Sequence, residues 1–188
     1  MAENRRDSNG LASGKPRPQP SDHGSWVLPQ AGGRIPLSAT NLYRNTVKNQ
    51  QNLLSIVRGA KTIAVIGLSD KPERESYKVA AYLQQKGHRI IPINPRATEI
   101  LGEKCYANIG DLPPDLHVNV VNIFRRPDEV LPHLAEIAQR GNFEHIWLAE
   151  GVSSREADEY AHKNHLPLIS DKCMMKVDLG QTDAPLIC

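Results

Sequence analysis

The sequence has few cysteines, little net charge and no long apolar run, and each shortage excludes a class of protein. Three cysteines in 188 residues, without a Cys-x-x-Cys pair, argue against a disulfide framework and a structural zinc site. A net charge of +2 without a basic stripe argues against a nucleic-acid partner. No apolar run is long enough to cross a bilayer, and the first residues lack the apolar centre of a signal peptide. The composition therefore predicts a soluble, cytoplasmic protein that binds neither nucleic acid nor membrane.

The first part of the chain differs in composition from the rest. It is rich in proline, glycine, serine and charge, as in "SGKPRPQPSDHGS". Such a segment cannot bury enough apolar surface to offset the entropy of ordering. We therefore divide the chain into a flexible, disordered tail over 1–37, a leading helix over 38–60, a folded domain over 61–180 and a C-terminal tail over 181–188.

Within the predicted domain, strand patterns alternate with helix patterns. Continuous β-branched runs are typical of parallel strands that are buried on both faces. Helical stretches such as "ESYKVAAYLQQKG" separate them. This alternation predicts an α/β fold, with a doubly wound parallel sheet of about five strands in three layers. The expected strands are "TIAVIG", "HRIIPIN", "HVNVVNIF", "HIWLAEG" and "LPLIS".

The segment "PRATEILGEKCYANIGDLPPDL" interrupts the alternation. It is too long for a simple connection, and we predict a short extra strand around Lys104–Tyr106 and a helical turn near Ile109–Leu112. Long loops in compact domains are often functional. Both a lid over the sheet edge and a plain structural excursion fit this segment.

The loop after the first strand has the features of a phosphate site. Ligands of open parallel sheets bind beyond the carboxyl ends of the strands, where the strand order reverses. Gly67 ends the first strand, and Ser69, Lys71, Arg74 and Ser76 lead to the next helix. A helix start offers unpaired N–H groups and the positive end of its dipole to an anion. The alternative is a glycine that only ends the strand, followed by solvated charges.

The second strand lacks the acidic residue that an NAD site usually has at this place. It ends in Asn94, Pro95 and Arg96. Arg96 suits an extra phosphate on the adenosine ribose, which both NADP and coenzyme A (CoA) carry. These residues leave the two cofactors open, although the loop lacks the second and third glycines of a dinucleotide fingerprint.

The third strand is followed by Phe124, Arg125 and Arg126. Phe124 can pack on a ligand, and either arginine can bind a diphosphate because guanidinium groups match phosphate oxygens. The alternative is a surface arginine pair that flanks the next helix. The position at a carboxyl end makes the ligand-binding interpretation as good as the surface one.

These stretches together resemble the small stand-alone CoA-binding proteins, relatives of the CoA-binding domain of succinyl-CoA synthetase. The resemblance covers 53–179 and implies a Rossmann-like fold with CoA across the carboxyl ends of the strands. It rests on "AKTIAVIGLSDKPERESYKVAAYLQQKGHRIIPINP", "ILGEKCYANIGDLP", "NIFRRPDEV", "IWLAEGV" and "DKCMM".

The resemblance also implies which residues meet each part of the ligand. By motif match, the phosphates are expected on Gly67, Leu68 and Ser69, and Arg74, Ser76 and Tyr77 complete the loop and the helix start. The adenosine end is expected to meet Asn94 and Pro95. The pantetheine or the diphosphate is expected to meet Phe124 and Arg125. One position departs from the family, which often carries Gln-Leu where this chain has Ala149 and Glu150. The Glu150 carboxylate either repels a diphosphate or faces elsewhere.

Cys173 follows the fifth strand and is a candidate to meet the CoA thiol in a mixed disulfide. Lys172 beside it is expected to lower the pKa of the thiol. The alternative is an inert, buried cysteine next to two methionines.

The sequence offers no catalytic motif, and we expect no second domain of the kind that carries the phosphorylated histidine of succinyl-CoA synthetase. We therefore predict a protein that binds CoA or acyl-CoA without established catalysis. The alternatives are an NADP-dependent oxidoreductase or nucleotide sensor, and an interaction protein whose nucleotide site has decayed. Both a monomer and a homodimer are compatible with the sequence, and no partner of the tail is identifiable.

Overall fold

The computed structural model describes residues 50–181. The predicted N-terminal tail, the start of the leading helix and nearly all of the predicted C-terminal tail lie outside these residues. None of the helices within them has the length and the apolarity that crossing a membrane requires.

Helices and strands alternate along the described chain. The helices are α1 (50–59), α2 (Glu75–Gln85), α3 (Val130–Arg140), α4 (Arg155–Lys163) and α5 (Met174–Asp178). The strands are β1 (Thr62–Ile66), β2 (Arg89–Ile93), β3 (Glu99–Ile100), β4 (Glu103–Lys104), β5 (Val118–Ile123), β6 (Phe143–Leu148) and β7 (Leu168–Ile169). Short 3₁₀ turns occupy Ile109–Asp111 and Pro127–Glu129.

Five strands form one parallel sheet in the order β2-β1-β5-β6-β7. The chain runs outward from β1 to β2, then crosses to β5 on the other side of β1 and continues outward. The strand order therefore reverses between β1 and β5, which is the arrangement of a doubly wound, Rossmann-like sheet. The predicted α/β fold is confirmed, and the switch point lies at the carboxyl end of β1.

Alternate residues of each strand enter two separate cores, one on each face of the sheet. Ile63 and Val65 of β1 pack with Trp147 and with residues of α1, α2 and α5. Ala64 and Ile66 pack on the other face, where α3 and α4 cover the sheet. This period-two distribution makes both faces of the central strands apolar and accounts for their continuous hydrophobic runs.

The structure matches the prediction for the irregular segment between β2 and β5 only in part. The extra strand expected around Lys104–Tyr106 is instead a small hairpin of β3 and β4, and Tyr106 makes only a single bridge to Ile93. The hairpin turns at Leu101 and Gly102, which both have positive φ angles (56° and 75°), as a two-residue turn of the primed type requires. The predicted helical turn is present as the 3₁₀ turn Ile109–Asp111.

Helix α5 was not predicted. It has five residues, which is too short for a helical periodicity to emerge from the sequence. Its position after β7 brings the "DKCMM" stretch back against the sheet, where Met174 and Val177 are buried.

Candidate functional site

A cleft of about 1030 Å³ runs along the carboxyl edge of the sheet. It is formed by the segments that follow β1, β2, β5 and β6. The predicted site residues that line it are Gly67, Ser69, Lys71, Arg74, Ser76, Asn94, Pro95, Arg96, Phe124, Arg125 and Arg126. Residues from three separate stretches of sequence therefore meet at the switch point of the sheet.

Gly67 lets the ends of β1 and β5 approach each other closely. Its φ angle is +82°, and a Cβ at this position would lie 2.3 Å from the carbonyl oxygen of Phe124. Its own N–H donates to the carbonyl of Ile93, at 3.0 Å, and is thus not available to a ligand. Gly67 shapes the cleft through the space it leaves empty, because any side chain would separate the two strand ends.

The two serine hydroxyls of the loop hold its backbone in place. The N–H of Ser69 donates to Oγ of Ser76, and the N–H of Lys71 donates to Oγ of Ser69, each at 3.1 Å. A hydroxyl that accepts such a bond keeps its own O–H as a donor. Both serines line the cleft, so these O–H groups can serve a ligand.

The amino end of α2 also faces the cleft. Its N-cap, Arg74, makes no side-chain capping bond, and its carbonyl accepts the N–H groups of Tyr77 and Lys78. The N–H groups of Glu75 and Ser76 have no acceptor within residues 50–181. Unpaired N–H groups and the positive end of the helix dipole together favour a bound anion.

The structure distinguishes the two adjacent arginines after β5. Nε of Arg125 is buried and has no hydrogen-bond partner among the described residues, while the Arg125 side chain lies against Gly67. The Arg126 side chain is 72% exposed, and its Nη2 lies 2.8 Å from a carboxylate oxygen of Glu129. This hydrogen bond raises the pKa of Arg126. The Arg125 side chain lines the cleft and has no salt bridge among the described residues, so it is the arginine of this pair that is free to bind a ligand.

The other cations of the cleft outnumber the free carboxylates. Within the described chain, no salt bridge involves the lining cations Lys71, Arg74 and Arg96. The acidic lining residues are Asp70, Glu73, Glu75 and Glu129. Glu75 and Glu129 each already bind a basic side chain at 2.8 Å. The remaining charge favours an anionic ligand.

Asn94 joins the end of β2 to the loop after β1. Its Nδ2 donates to the carbonyl of Leu68, and its Oδ1 accepts the N–H of Arg96, both at 2.9 Å. The Asn94 N–H also donates to the carbonyl of Tyr106, at 2.8 Å. Asn94 thus fixes the position of Arg96 relative to the β1 loop.

Three predicted site residues do not line the cleft. Leu68 is fully buried in the core beneath α2, and Tyr77 packs against the same core. Both side chains point into the protein because they follow the apolar face of the β1–α2 unit. Cys173 lines a separate pocket, described below.

The expected effect of Lys172 on Cys173 is wrong. Burial raises the pKa of the Cys173 thiol, and the nearby charge of Glu150 adds to the increase. A thiol with a raised pKa holds little thiolate at neutral pH, and the thiolate is the reactive form.

Glu150 does not line the cleft. Its carboxylate lies 2.7 Å from Nζ of Lys176, and the Lys176 side chain is only 9% exposed. The residue that departs from the family pattern therefore faces α5 and does not face the cleft. Of the two alternatives for this carboxylate, the structure supports the second.

The irregular segment between β2 and β5 reaches the cleft with its first residues and then leaves it. Its residues beyond Ala97 are absent from the lining, which favours a structural excursion over a lid. The lining does include Gly151 and Val152, which were not predicted as site residues. The sequence feature that could have indicated them is the "IWLAEGV" stretch, which ends just beyond the carboxyl end of β6.

The fold and the cleft define a doubly wound α/β protein with a cationic site at its switch point. The model of the CoA binding domain family matches residues 61–178, and the chain belongs to this family. Over 126 residues it is 32% identical to the uncharacterized protein YneT of Bacillus subtilis, covering 67% of this chain and 91% of that protein.

A second relative is much larger than this chain. Over 125 residues the chain is 27% identical to the ADP-forming acetate–CoA ligase of Methanocaldococcus jannaschii, covering 66% of this chain but only 17% of the ligase. Among solved structures, a hypothetical protein from Pyrococcus horikoshii OT3 superposes with a TM-score of 0.65 at 30% identity, covering 70% of this chain and 91% of that one.

Proposed function

We propose that the protein binds coenzyme A or an acyl-CoA in the cleft at the carboxyl edge of its sheet. The observation that carries the proposal is the Arg125 side chain, which lines the cleft beside Gly67 and has no hydrogen-bond or salt-bridge partner in the described chain. A guanidinium left without a protein partner can form charge-assisted hydrogen bonds to phosphate oxygens. Membership of the CoA binding domain family supports CoA as that ligand.

The charges of the cleft suit the two ends of the CoA nucleotide. In this proposal the diphosphate lies between Arg125 and the free N–H groups at the start of α2. The 3′-phosphate of the ribose lies by Arg96, at the end of β2. The pantetheine arm then passes Phe124 towards Gly151, which places it on the β6 side of the cleft.

Calorimetric titration of the full chain with CoA, dephospho-CoA, NADP and NAD tests the proposal. We expect CoA to bind most tightly and both dinucleotides to bind at least tenfold more weakly. Neither the family nor the relatives support the NADP alternative. Binding of NADP as tight as that of CoA, or no binding of any of the four, would contradict the proposal.

The variant Arg96→Ala serves as an internal control for the orientation of the ligand. Because Arg96 is exposed, its ion pair with a phosphate contributes up to about 1 kcal/mol, which is roughly fivefold in affinity. The variant should lose this factor for CoA and retain its affinity for dephospho-CoA, which lacks the 3′-phosphate. An equal loss for both ligands would place the 3′-phosphate elsewhere.

A further inference from the structure

A second, smaller pocket of about 180 Å³ lies next to the cleft, at the same edge of the sheet. It lies beyond the carboxyl ends of β6 and β7, where the cleft itself stops. Its lining consists of Glu150, Asp171, Lys172, Cys173, Lys176 and Val177. Neither the family match nor the relatives assign a role to this pocket.

The pocket and the cleft share a wall. Glu150 lines the pocket and the next residue, Gly151, lines the cleft. Oδ1 of Asp171, on the pocket side, accepts the N–H of Gly151 at 2.8 Å. A ligand arm that follows the cleft past Phe124 and Gly151 therefore reaches the pocket next.

The interior of the pocket is polar. Nζ of Lys176 binds Glu150 at 2.7 Å, and the side chains of these two residues are 9% and 40% exposed. The buried Lys176 ammonium depends on the Glu150 carboxylate for its stability, and that carboxylate depends on its remaining contact with water. Covering it with an apolar group removes that solvent without replacing its hydrogen bonds.

We infer that this pocket receives the sulfur end of coenzyme A, and that it admits the free thiol or a short acyl group but not a long apolar chain. The inference rests on the proposed function, since it concerns the far end of the same ligand. It names the class of acyl-CoA that the protein accepts.

The volume of the pocket limits how much of an acyl group it can enclose. An apolar cavity of about 150 Å³ holds one benzene molecule, so a pocket of this size accommodates roughly six non-hydrogen atoms. The last two carbons of the pantetheine arm, its sulfur and an acetyl group together amount to about that number. A chain of ten carbons exceeds this space and meets the charges of Glu150 and Lys176.

Titration of the full chain with CoA, acetyl-CoA and decanoyl-CoA tests the inference. We expect acetyl-CoA to bind within about threefold of CoA and decanoyl-CoA to bind at least tenfold more weakly. Decanoyl-CoA binding as tightly as CoA would overturn the inference while leaving the proposed function intact. Absence of CoA binding would instead overturn the proposed function.

Filling the pocket provides the matching experiment on the protein. Cys173→Phe should weaken acetyl-CoA binding at least tenfold and leave binding of 3′-phosphoadenosine 5′-diphosphate unchanged, because this fragment lacks the pantetheine arm. Lys172→Trp, at a half-buried position of the same lining, gives the same test should Cys173→Phe fail to fold. Unchanged acetyl-CoA affinity in a folded variant of either kind would show that the arm does not enter the pocket.

Discussion

Gly67→Ala is expected to lower the affinity for CoA at least a hundredfold and to destabilise the folded protein. The new Cβ would lie 2.3 Å from the Phe124 carbonyl oxygen, so the ends of β1 and β5 have to separate. That separation moves Arg125 away from the start of α2, and the two can no longer hold one diphosphate. The positive φ angle of +82° adds about 1–3 kcal/mol of strain in any residue other than glycine. Calorimetry gives the affinity, and thermal unfolding gives the stability.

Gly87→Ala is the matched control for this substitution. Gly87 also has a positive φ angle, +93°, but a Cβ there has no neighbour within 4 Å, and the residue lies outside the cleft. The control variant should have a lower melting temperature, because of the strain, and an unchanged affinity for CoA. If both variants lost affinity equally, or if Gly67→Ala bound CoA like the unmodified protein, the close approach at Gly67 would have no part in binding.

Arg125→Met is expected to weaken CoA binding by about 10- to 150-fold. A hydrogen bond to a charged group contributes about 1.5–3 kcal/mol, which corresponds to this range. The Arg125 side chain lines the cleft and has no hydrogen-bond partner in the described chain, so a phosphate oxygen gives its guanidinium a bond that the free protein lacks. Titrations at several salt concentrations should also show a weaker salt dependence in this variant, because one cation is missing.

Arg126→Met compares the same substitution one residue along the chain. Its guanidinium is exposed and already binds Glu129 at 2.8 Å, so we expect a loss of at most about fivefold, the effect of an exposed ion pair. The ratio of the two losses is the informative quantity. Equal losses would mean that the diphosphate contacts both arginines, and a larger loss in Arg126→Met would reverse the assignment.

The sequence predicted the fold well because the relevant signals are local. Continuous β-branched runs marked the buried strands, and Gly67 followed by a polar loop marked the switch point. Helix α5 was not predicted because five residues are too few to show a helical periodicity. The turn at Leu101 was not predicted because a bulky residue rarely has a positive φ angle.

The details of the site depended on contacts between distant residues, which the sequence does not display. Arg125 and Arg126 are adjacent and chemically identical, and only the path of the chain buries one and pairs the other with Glu129. Likewise, Glu150 faces Lys176, 26 residues further along. The pKa of Cys173 follows from its burial and not from the neighbouring lysine in the sequence.

Hydrogen–deuterium exchange of the full chain, measured by mass spectrometry with and without CoA, tests the central claim most directly. The account predicts slower exchange over 67–77, 94–97 and 124–127, three of the four segments that form the cleft. The opposite edge of the sheet, where His117 and Asn119 both bind Glu144 at 2.8 Å, should exchange unchanged. Protection at that opposite edge, or bound CoA that leaves 67–77 unprotected, would contradict the account.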